Sequence, residues 1–134
     1  MYKETIPYID YNDKERSEDF YFDLSQAELI EMEMTTPGGF TGMLDRAVKA
    51  QDYPTLFKAF KDFVYKSYGE KSVDGREFKK SDEITARFTQ TRAYSQLMTR
   101  LCSDADYASK FVNAIVGAAA PNTPSTIIPT QAAN

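Results

Sequence analysis

A strand that leads directly into a helix is the strongest local signal near the N-terminus. Phe20, Phe22 and Leu24 are two residues apart, which is the spacing of apolar side chains on the buried face of a strand. Ser25 and Glu28 follow at once and form the Ser-x-x-Glu pattern of a capping box, which marks the start of a helix. The chain therefore has to combine sheet and helix within one short stretch.

A second strand is predicted on the N-terminal side of this segment. Residues 2–11 are rich in β-branched and aromatic side chains, and residues 12–15 are polar and turn-forming. Pro7 cannot donate a hydrogen bond to a neighbouring strand, so this strand is expected at an edge or with a bulge. The two strands form a hairpin over about residues 2–24, which is stable only when a helix packs on one of its faces.

The region that follows is predicted to be mostly helical, because apolar residues recur at the i, i+3, i+4, i+7 spacing. Gly69 is expected to end the third helix, and residues 70–80 are expected to be a polar loop held to the core by Phe78. The fold class is thus α+β, with the hairpin followed by a bundle of about five helices between about residues 25 and 117. Helices are predicted at residues 26–34, 40–51, 52–68, shortly after Ser81, at 92–102 and at 104–117.

The chain has 134 residues, which is enough for one domain with a modest core. A single domain is expected over residues 1–119. Pro121, Pro124 and Pro129 then interrupt a polar sequence, so residues 120–134 are expected to form a flexible, proline-rich tail.

The composition argues against catalysis. The chain has no histidine and one cysteine, which removes the commonest general base and excludes an internal disulfide or a cysteine-based metal cluster. Cys102 lies beside Leu101 and near Met98, so it is predicted to be a buried small hydrophobic residue. Asp104 and Asp106, at a helix start, are typical of capping rather than acid–base chemistry. We expect no catalytic, cofactor-binding or metal-binding residue and no small-molecule substrate.

Charge and hydropathy argue against nucleic-acid and membrane partners. The net charge is −4, and the three lysines on one helix face, Lys58, Lys61 and Lys66, are too few for a nucleic-acid surface. No apolar run approaches the ~18 residues that a membrane span needs, and the first residues lack the apolar region of a signal peptide. A soluble, intracellular binding or assembly protein is therefore expected.

Several segments, taken in order and spacing, resemble a known family. No single segment is specific, but together they are similar to the tail assembly chaperones of long-tailed bacteriophages (siphophages), and the similarity extends over about residues 2–116. The segments are residues 19–34, 38–39, 60–63, 66–72, 74–78, 88–95 and 104–111.

The resemblance implies a role in the host cytoplasm during infection. Such a protein would bind the long, apolar tape measure protein, keep it soluble, help recruit tail tube subunits and be absent from the mature virion. A ribosomal frameshift often yields a longer product in these phages, and the proline-rich segment after Ala120 is consistent with the end of a short product or with a linker. Self-association is a further expectation, which Pro7 in the edge strand would disfavour.

A chaperone for a helical client needs apolar surface, and methionine suits such a surface because it is flexible and polarizable. The first helix has two apolar stripes, so it is either buried on both sides or presents one stripe to a partner. We predict that the stripe of Leu29 and Met32 contacts the partner. Phe40, Met43 and Leu44 form a second candidate surface, although their spacing is equally that of ordinary core.

Two other functions remain open from the sequence. The protein could be a structural component of the tail or virion, although tail tube proteins are dominated by β-sheet and this chain is predicted to be mostly helical. It could also be a small regulatory module that binds another protein.

Overall fold

The computed structural model describes residues 1–119. Over these residues the chain forms one four-stranded antiparallel sheet and six helices. The strands are β1 Tyr2–Ile9, β2 Glu15–Phe22, β3 Tyr68–Lys71 and β4 Phe78–Lys79. The helices are α1 Gln26–Thr35, α2 Phe40–Lys49, α3 Tyr53–Ser67, α4 Asp82–Thr89, α5 Arg92–Ser103 and α6 Ala105–Ala118.

The N-terminal hairpin forms as predicted. β1 and β2 are paired from Tyr2 opposite Phe22 to Ile9 opposite Glu15. The strand order β1-β2-β3-β4 leaves β1 at an edge of the sheet, which agrees with the expectation from Pro7. The predicted α+β class, with a hairpin followed by helices, is confirmed.

The sheet has two strands that the sequence did not suggest. The prediction that Gly69 ends α3 was wrong, since α3 ends at Ser67 and Tyr68 is already extended. Phe22 pairs with Tyr68, and β3 in turn pairs with β4. The predicted polar loop over residues 70–80 is therefore shorter than expected, since its ends lie in β3 and β4 and only residues 72–77 connect the two strands. The free edge of β2 offers backbone hydrogen bonds that a short polar segment can satisfy in spite of its low strand propensity.

Local capping signals are reproduced closely. The Ser25 hydroxyl accepts a hydrogen bond from the Glu28 backbone at 3.1 Å, and the Glu28 carboxylate accepts one from the Ser25 backbone at 2.9 Å. Asp52, Ser81 and Asp104 cap α3, α4 and α6 through their side chains. These helices therefore begin where the side-chain chemistry of the sequence indicates.

Aromatic rings hold the sheet and the helices together. Phe22 of β2 is fully buried, with its ring 5.2 Å from that of Phe111 in α6 and 6.0 Å from that of Phe88 in α4. Phe63 of α3 meets Phe111 at 6.2 Å, and Tyr68 stacks on Phe88 at 4.2 Å. A contiguous core thus joins β2 to helices that come much later in the chain.

The prediction of a buried Cys102 was wrong, because this residue is exposed. On α5 the core face is formed by Leu97, Met98 and Leu101, and Cys102 is rotated away from it. The predicted flexible tail lies outside the described residues, and the division into a domain of residues 1–119 and a tail stays a prediction.

Candidate partner-binding groove

An open groove lies between two pairs of helices. One wall is formed by α2 and the first half of α3, and the other by the end of α5 and the first half of α6. Its volume is about 510 Å³. We call this feature the α2–α6 groove. Its apolar lining comprises Leu44, Val48, Leu56, Phe60, Leu101, Ala105, Ala108 and Val112.

The stripe of α2 explains why this groove is apolar. Phe40, Leu44 and Val48 follow each other at i, i+4 and i+8, so they lie along one face of the helix. Phe40 is buried and stacks on Phe63 of α3 with the rings 5.5 Å apart. Leu44 is half-buried, and Val48 is 49% exposed. A single apolar stripe thus begins in the core and ends in the groove.

The opposite wall comes from the α5–α6 corner. Leu101 and Val112 are buried at its base, and Ala105 and Ala108 contribute small side chains that leave space. Cys102 lies at the rim, where partial burial raises the pKa of its thiol above the ordinary value. This thiol is therefore largely uncharged at neutral pH.

The groove carries little charge. Among its lining residues in the described part of the chain, Asp45 is the one with an ionised side chain, and that carboxylate is 3.1 Å from the ammonium group of Lys49. The other polar groups are hydroxyls, amides and the thiol. Such a surface favours an apolar or neutral polar segment over a charged ligand.

The five residues predicted to contact a partner do not come together in one surface. Met32 is 5% exposed and Phe40 is 3% exposed, so both lie in the core, and Leu29 and Met43 are half-buried against it. Leu44 alone of the five lines the α2–α6 groove. That these residues bind a partner stays a prediction.

The outward stripe of α1 is the opposite of the one predicted. Ile30 is 51% exposed and Met34 is 80% exposed, whereas Met32 faces inward. The ammonium group of Lys80 lies 2.9 and 3.0 Å from the two Glu28 carboxylate oxygens, so Glu28 faces the rest of the fold. Met32 is four residues after Glu28 and so lies on the same inward side.

The residues of the groove other than Leu44 were missed by sequence reasoning. The α2 periodicity that continues to Val48 was a usable signal, because it shows one apolar stripe along the whole helix. What the pattern cannot show is where neighbouring helices stop covering that stripe. Ala105 and Ala108 carry no such signal, since small residues near a helix start occur in many contexts.

Other kinds of site are not supported by the described residues. Over residues 1–119 no three histidine, cysteine or acidic side chains are grouped closely enough to hold a metal ion. Within the same part of the chain, none of the helices combines the length and the apolar character needed to cross a bilayer.

Comparison with known proteins identifies one family for this chain. The family model described as phage tail assembly chaperone matches residues 1–122. Neither the curated proteins nor the solved structures yield a match. Because the family match spans all of the sheet and all six helices of the described region, the chain belongs to the phage tail assembly chaperone family.

Proposed function

We propose that this chaperone binds the tape measure protein in the host cytoplasm and that apolar helical segments of this client enter the α2–α6 groove. The bound chaperone keeps the client soluble and helps to recruit tail tube subunits, then leaves before the virion is complete. It acts by binding alone and catalyses no reaction. The observation that carries the proposal is an open, apolar and nearly uncharged groove on a protein of a tail assembly family.

The shape and chemistry of the groove suit a helix face better than a small molecule. An amphipathic helix presents apolar side chains at i, i+3, i+4 and i+7, and a groove of about 510 Å³ accepts several of them. Small-molecule sites usually add a few convergent polar or charged groups that fix orientation. In the described lining, Asp45 is the one charged side chain, and Lys49 already pairs with it.

The five predicted residues have different roles in client binding. Leu44 contacts the client directly, because it lines the groove. Phe40 and Met43 support α2 from the core side. Leu29 and Met32 hold α1 against the core and affect the client only through the fold.

The test uses two aspartate variants with nearly the same starting exposure. Val48 is 49% exposed and lines the groove, and Ile30 is 51% exposed on α1 outside it. Co-expressed with tape measure fragments, Val48→Asp should lower the recovery of soluble complex about tenfold or more, because a charge would replace apolar contact. Ile30→Asp should leave recovery within about twofold of the wild type.

Circular dichroism and urea unfolding of the two purified variants establish that both remain folded. The proposal is wrong if wild-type chaperone neither forms a complex with the fragments nor raises their solubility. The assignment to the groove is wrong if Ile30→Asp abolishes the complex and Val48→Asp does not.

A second measurement separates the chaperone from a structural tail protein. Helices account for 58% of the described residues and strands for 18%, which is unlike a tube built from sheet. Mass spectrometry of purified virions should find no stoichiometric copy of the chain. Recruitment of tube subunits is tested separately, since added tail tube protein should be retained better by the chaperone–client complex than by the client alone. Stoichiometric presence in virions would contradict the proposal.

A further inference from the structure

Two helices of the described chain each expose large apolar side chains along one row outside the α2–α6 groove. On α1, Ile30 is 51% exposed and Met34 is 80% exposed. On α3, Phe57 is 47% exposed and Tyr65 is 40% exposed, and Lys61 lies between them in the same row. Exposed apolar patches of this kind on a soluble protein mark surfaces that contact another protein.

The first patch, which we call the α1 face, consists of Ala27, Ile30, Glu31 and Met34. These exposed side chains lie within about 100° of one another around the helix. α1 contains three glutamates and no lysine or arginine. Neither Glu31 nor Glu33, at the edge of the face, takes part in an ion pair among residues 1–119. The α1 face is therefore apolar with an unpaired negative edge.

The second patch, the α3 face, consists of Phe57, Lys58, Lys61 and Tyr65, which again lie within about 100° of one another. The Lys61 ammonium group is 5.6 Å from the centre of the Tyr65 ring and forms no ion pair with the described residues. Lys58 pairs with Asp62 at 3.0 Å, but both side chains are largely exposed, so this pair is easily exchanged for another. The α3 face is therefore aromatic with a positive edge.

The position of the glutamates within α1 strengthens the demand for a cation. Glu33 lies in the last turn of the helix and Glu31 directly before it, close to the carbonyl groups that form its negative end. The last turn has no basic residue, so α1 itself does not offset this charge. A lysine from outside the helix would do so.

We propose that the α1 face of one copy of this protein packs against the α3 face of a second copy. Ile30 and Met34 of one copy cover Phe57 of the other, and Lys61 lies beside Glu31 at the edge of the contact. Both faces are built from i, i+4 rows, which interlock when two helices cross. Opposite charges meet and apolar side chains leave water together.

The contact joins two different faces, so every added copy leaves one face of each kind free for the next copy. It is also small. α1 has ten residues and is about 15 Å long, whereas a stable interface buries about 1,000 Å² or more. Two free copies therefore associate weakly, and the contact matters most where copies are held close together.

The contact is a property of the isolated protein, whereas its role on a client rests on the proposed function. A long client with several groove-binding segments holds neighbouring copies at an effective concentration on the order of millimolar, where even a weak contact forms. Neighbouring copies then stabilise one another along the client. A fragment that occupies one groove binds one copy, so its recovery does not depend on this contact.

Charge reversal tests the contact without any client. Sedimentation velocity at concentrations up to about 1 mM, the effective concentration on a shared client, measures self-association of the wild type. Glu31→Lys together with Glu33→Lys makes both faces positive, and Lys58→Glu together with Lys61→Glu makes both negative. Each double variant alone should associate at least about fivefold more weakly than the wild type, because like charges would face each other.

Mixing the two double variants should restore what each of them lacks. The lysines of one variant then meet the glutamates of the other at both kinds of face, so association should return to within about threefold of the wild type. Circular dichroism and urea unfolding establish that both variants are folded.

A matched control separates the contact from net charge. Glu15→Lys together with Glu77→Lys changes two exposed glutamates outside both faces and, like the α1 variant, shifts the net charge from −4 to 0. This control should associate at least as strongly as the wild type, since a lower net charge reduces repulsion between copies.

Three results would overturn the proposed contact. The first is association that persists in both double variants, as pairing through the free edge of β1 would. The second is a wild type that stays monomeric up to about 1 mM, and the third is a mixture that does not regain association. None of these measurements contains a client, so a failure to bind tape measure fragments would contradict the proposed function and leave the contact intact.

Discussion

Gly69 shows how a missing side chain permits the second half of the sheet. A Cβ atom built there would lie 2.5 Å from Cε2 of Phe78 and 2.7 Å from the backbone oxygen of Lys79. Backbone atoms cannot move away cheaply, so Gly69→Ala should lower the free energy of unfolding by about 1–3 kcal/mol. Urea unfolding followed by circular dichroism measures the change.

Gly117 provides the control for this substitution. It lies in the last turns of α6, and a Cβ there meets nothing within 4 Å. Gly117→Ala should therefore stabilise the protein by up to about 1 kcal/mol, because alanine has the higher helix propensity. Equal effects of the two substitutions would show that crowding at Gly69 is not what matters.

Glu28 makes the stability of the protein depend on pH. Burial raises the pKa of its carboxyl group, but hydrogen bonds from Lys80 and Ser25 outweigh burial, and the net pKa is lowered. A carboxylate with a lowered pKa in the folded state stabilises above the pKa of the unfolded chain. This contribution is lost as the pH falls through the folded-state value.

Glu28→Gln should lower the free energy of unfolding by about 1 kcal/mol or less at pH 7, because the pair with Lys80 is partly exposed. The loss should be smaller still at pH 3, where more of the wild-type carboxyl group is protonated. Glutamine retains the capping hydrogen bond, so the variant isolates the charge. Urea unfolding at both pH values should show a smaller pH dependence for Glu28→Gln than for the wild type. Glu31→Gln removes the same charge from an exposed position of α1 and is the control. A pH dependence unchanged by Glu28→Gln would contradict the argument.

At the scale of the element, α1 shows that amphipathic spacing does not decide which stripe faces inward. Its sequence has two apolar stripes, and the structure turns the one with Met32 toward the core and the one with Met34 toward solvent. Burial of Met32 in the core favours this orientation, and Lys80 adds a contact from outside the helix, because its ammonium group donates to Glu28 and to the carbonyl oxygen of Asp23. This contact joins residues more than fifty positions apart.

The two methionines of α1 give a test of this orientation. Met32→Ala should lower the free energy of unfolding by about 2–5 kcal/mol, because it leaves a cavity under the helix. Met34→Ala should change it by less than about 0.5 kcal/mol, since that side chain is 80% exposed. Urea unfolding of both variants measures the difference, and similar values would mean that α1 is rotated relative to the structure described.

At the scale of the whole molecule, Phe22 ties the N-terminal hairpin to helices from the second half of the chain. Its ring contacts those of Phe88 and Phe111, and it is fully buried. Phe22→Ala should lower the free energy of unfolding by about 3–5 kcal/mol. That is a large fraction of the ~5–15 kcal/mol typical of a domain.

Phe57→Ala is the matched control, because Phe57 is 47% exposed on α3. This substitution should lower the free energy of unfolding by less than about 1 kcal/mol. Unfolding should be followed by circular dichroism and by tyrosine fluorescence. If hairpin and helices share one core, the two signals change together in wild type and in both variants. Separate transitions would show that the hairpin unfolds independently.

The sequence by itself determined the features that depend on neighbouring residues. The capping box of Ser25 and Glu28 and the amphipathic stripe of α2 depend on residues a few positions apart. Pro7 favours an edge strand because proline itself lacks the N–H that a second neighbouring strand would need. The family resemblance also followed from the order of short segments, and the family match confirmed it.

Tertiary structure decided the pairing of β3 with β2, the rotation of α1, the exposure of Cys102 and the location of the groove. Of the five residues predicted to bind a partner, Leu44 alone lines the groove, because burial depends on which distant element covers a stripe. An apolar side chain has the same local spacing whether a neighbouring helix covers it or leaves it open. Contacts between residues far apart in the chain make that choice, and local pattern carries no record of them.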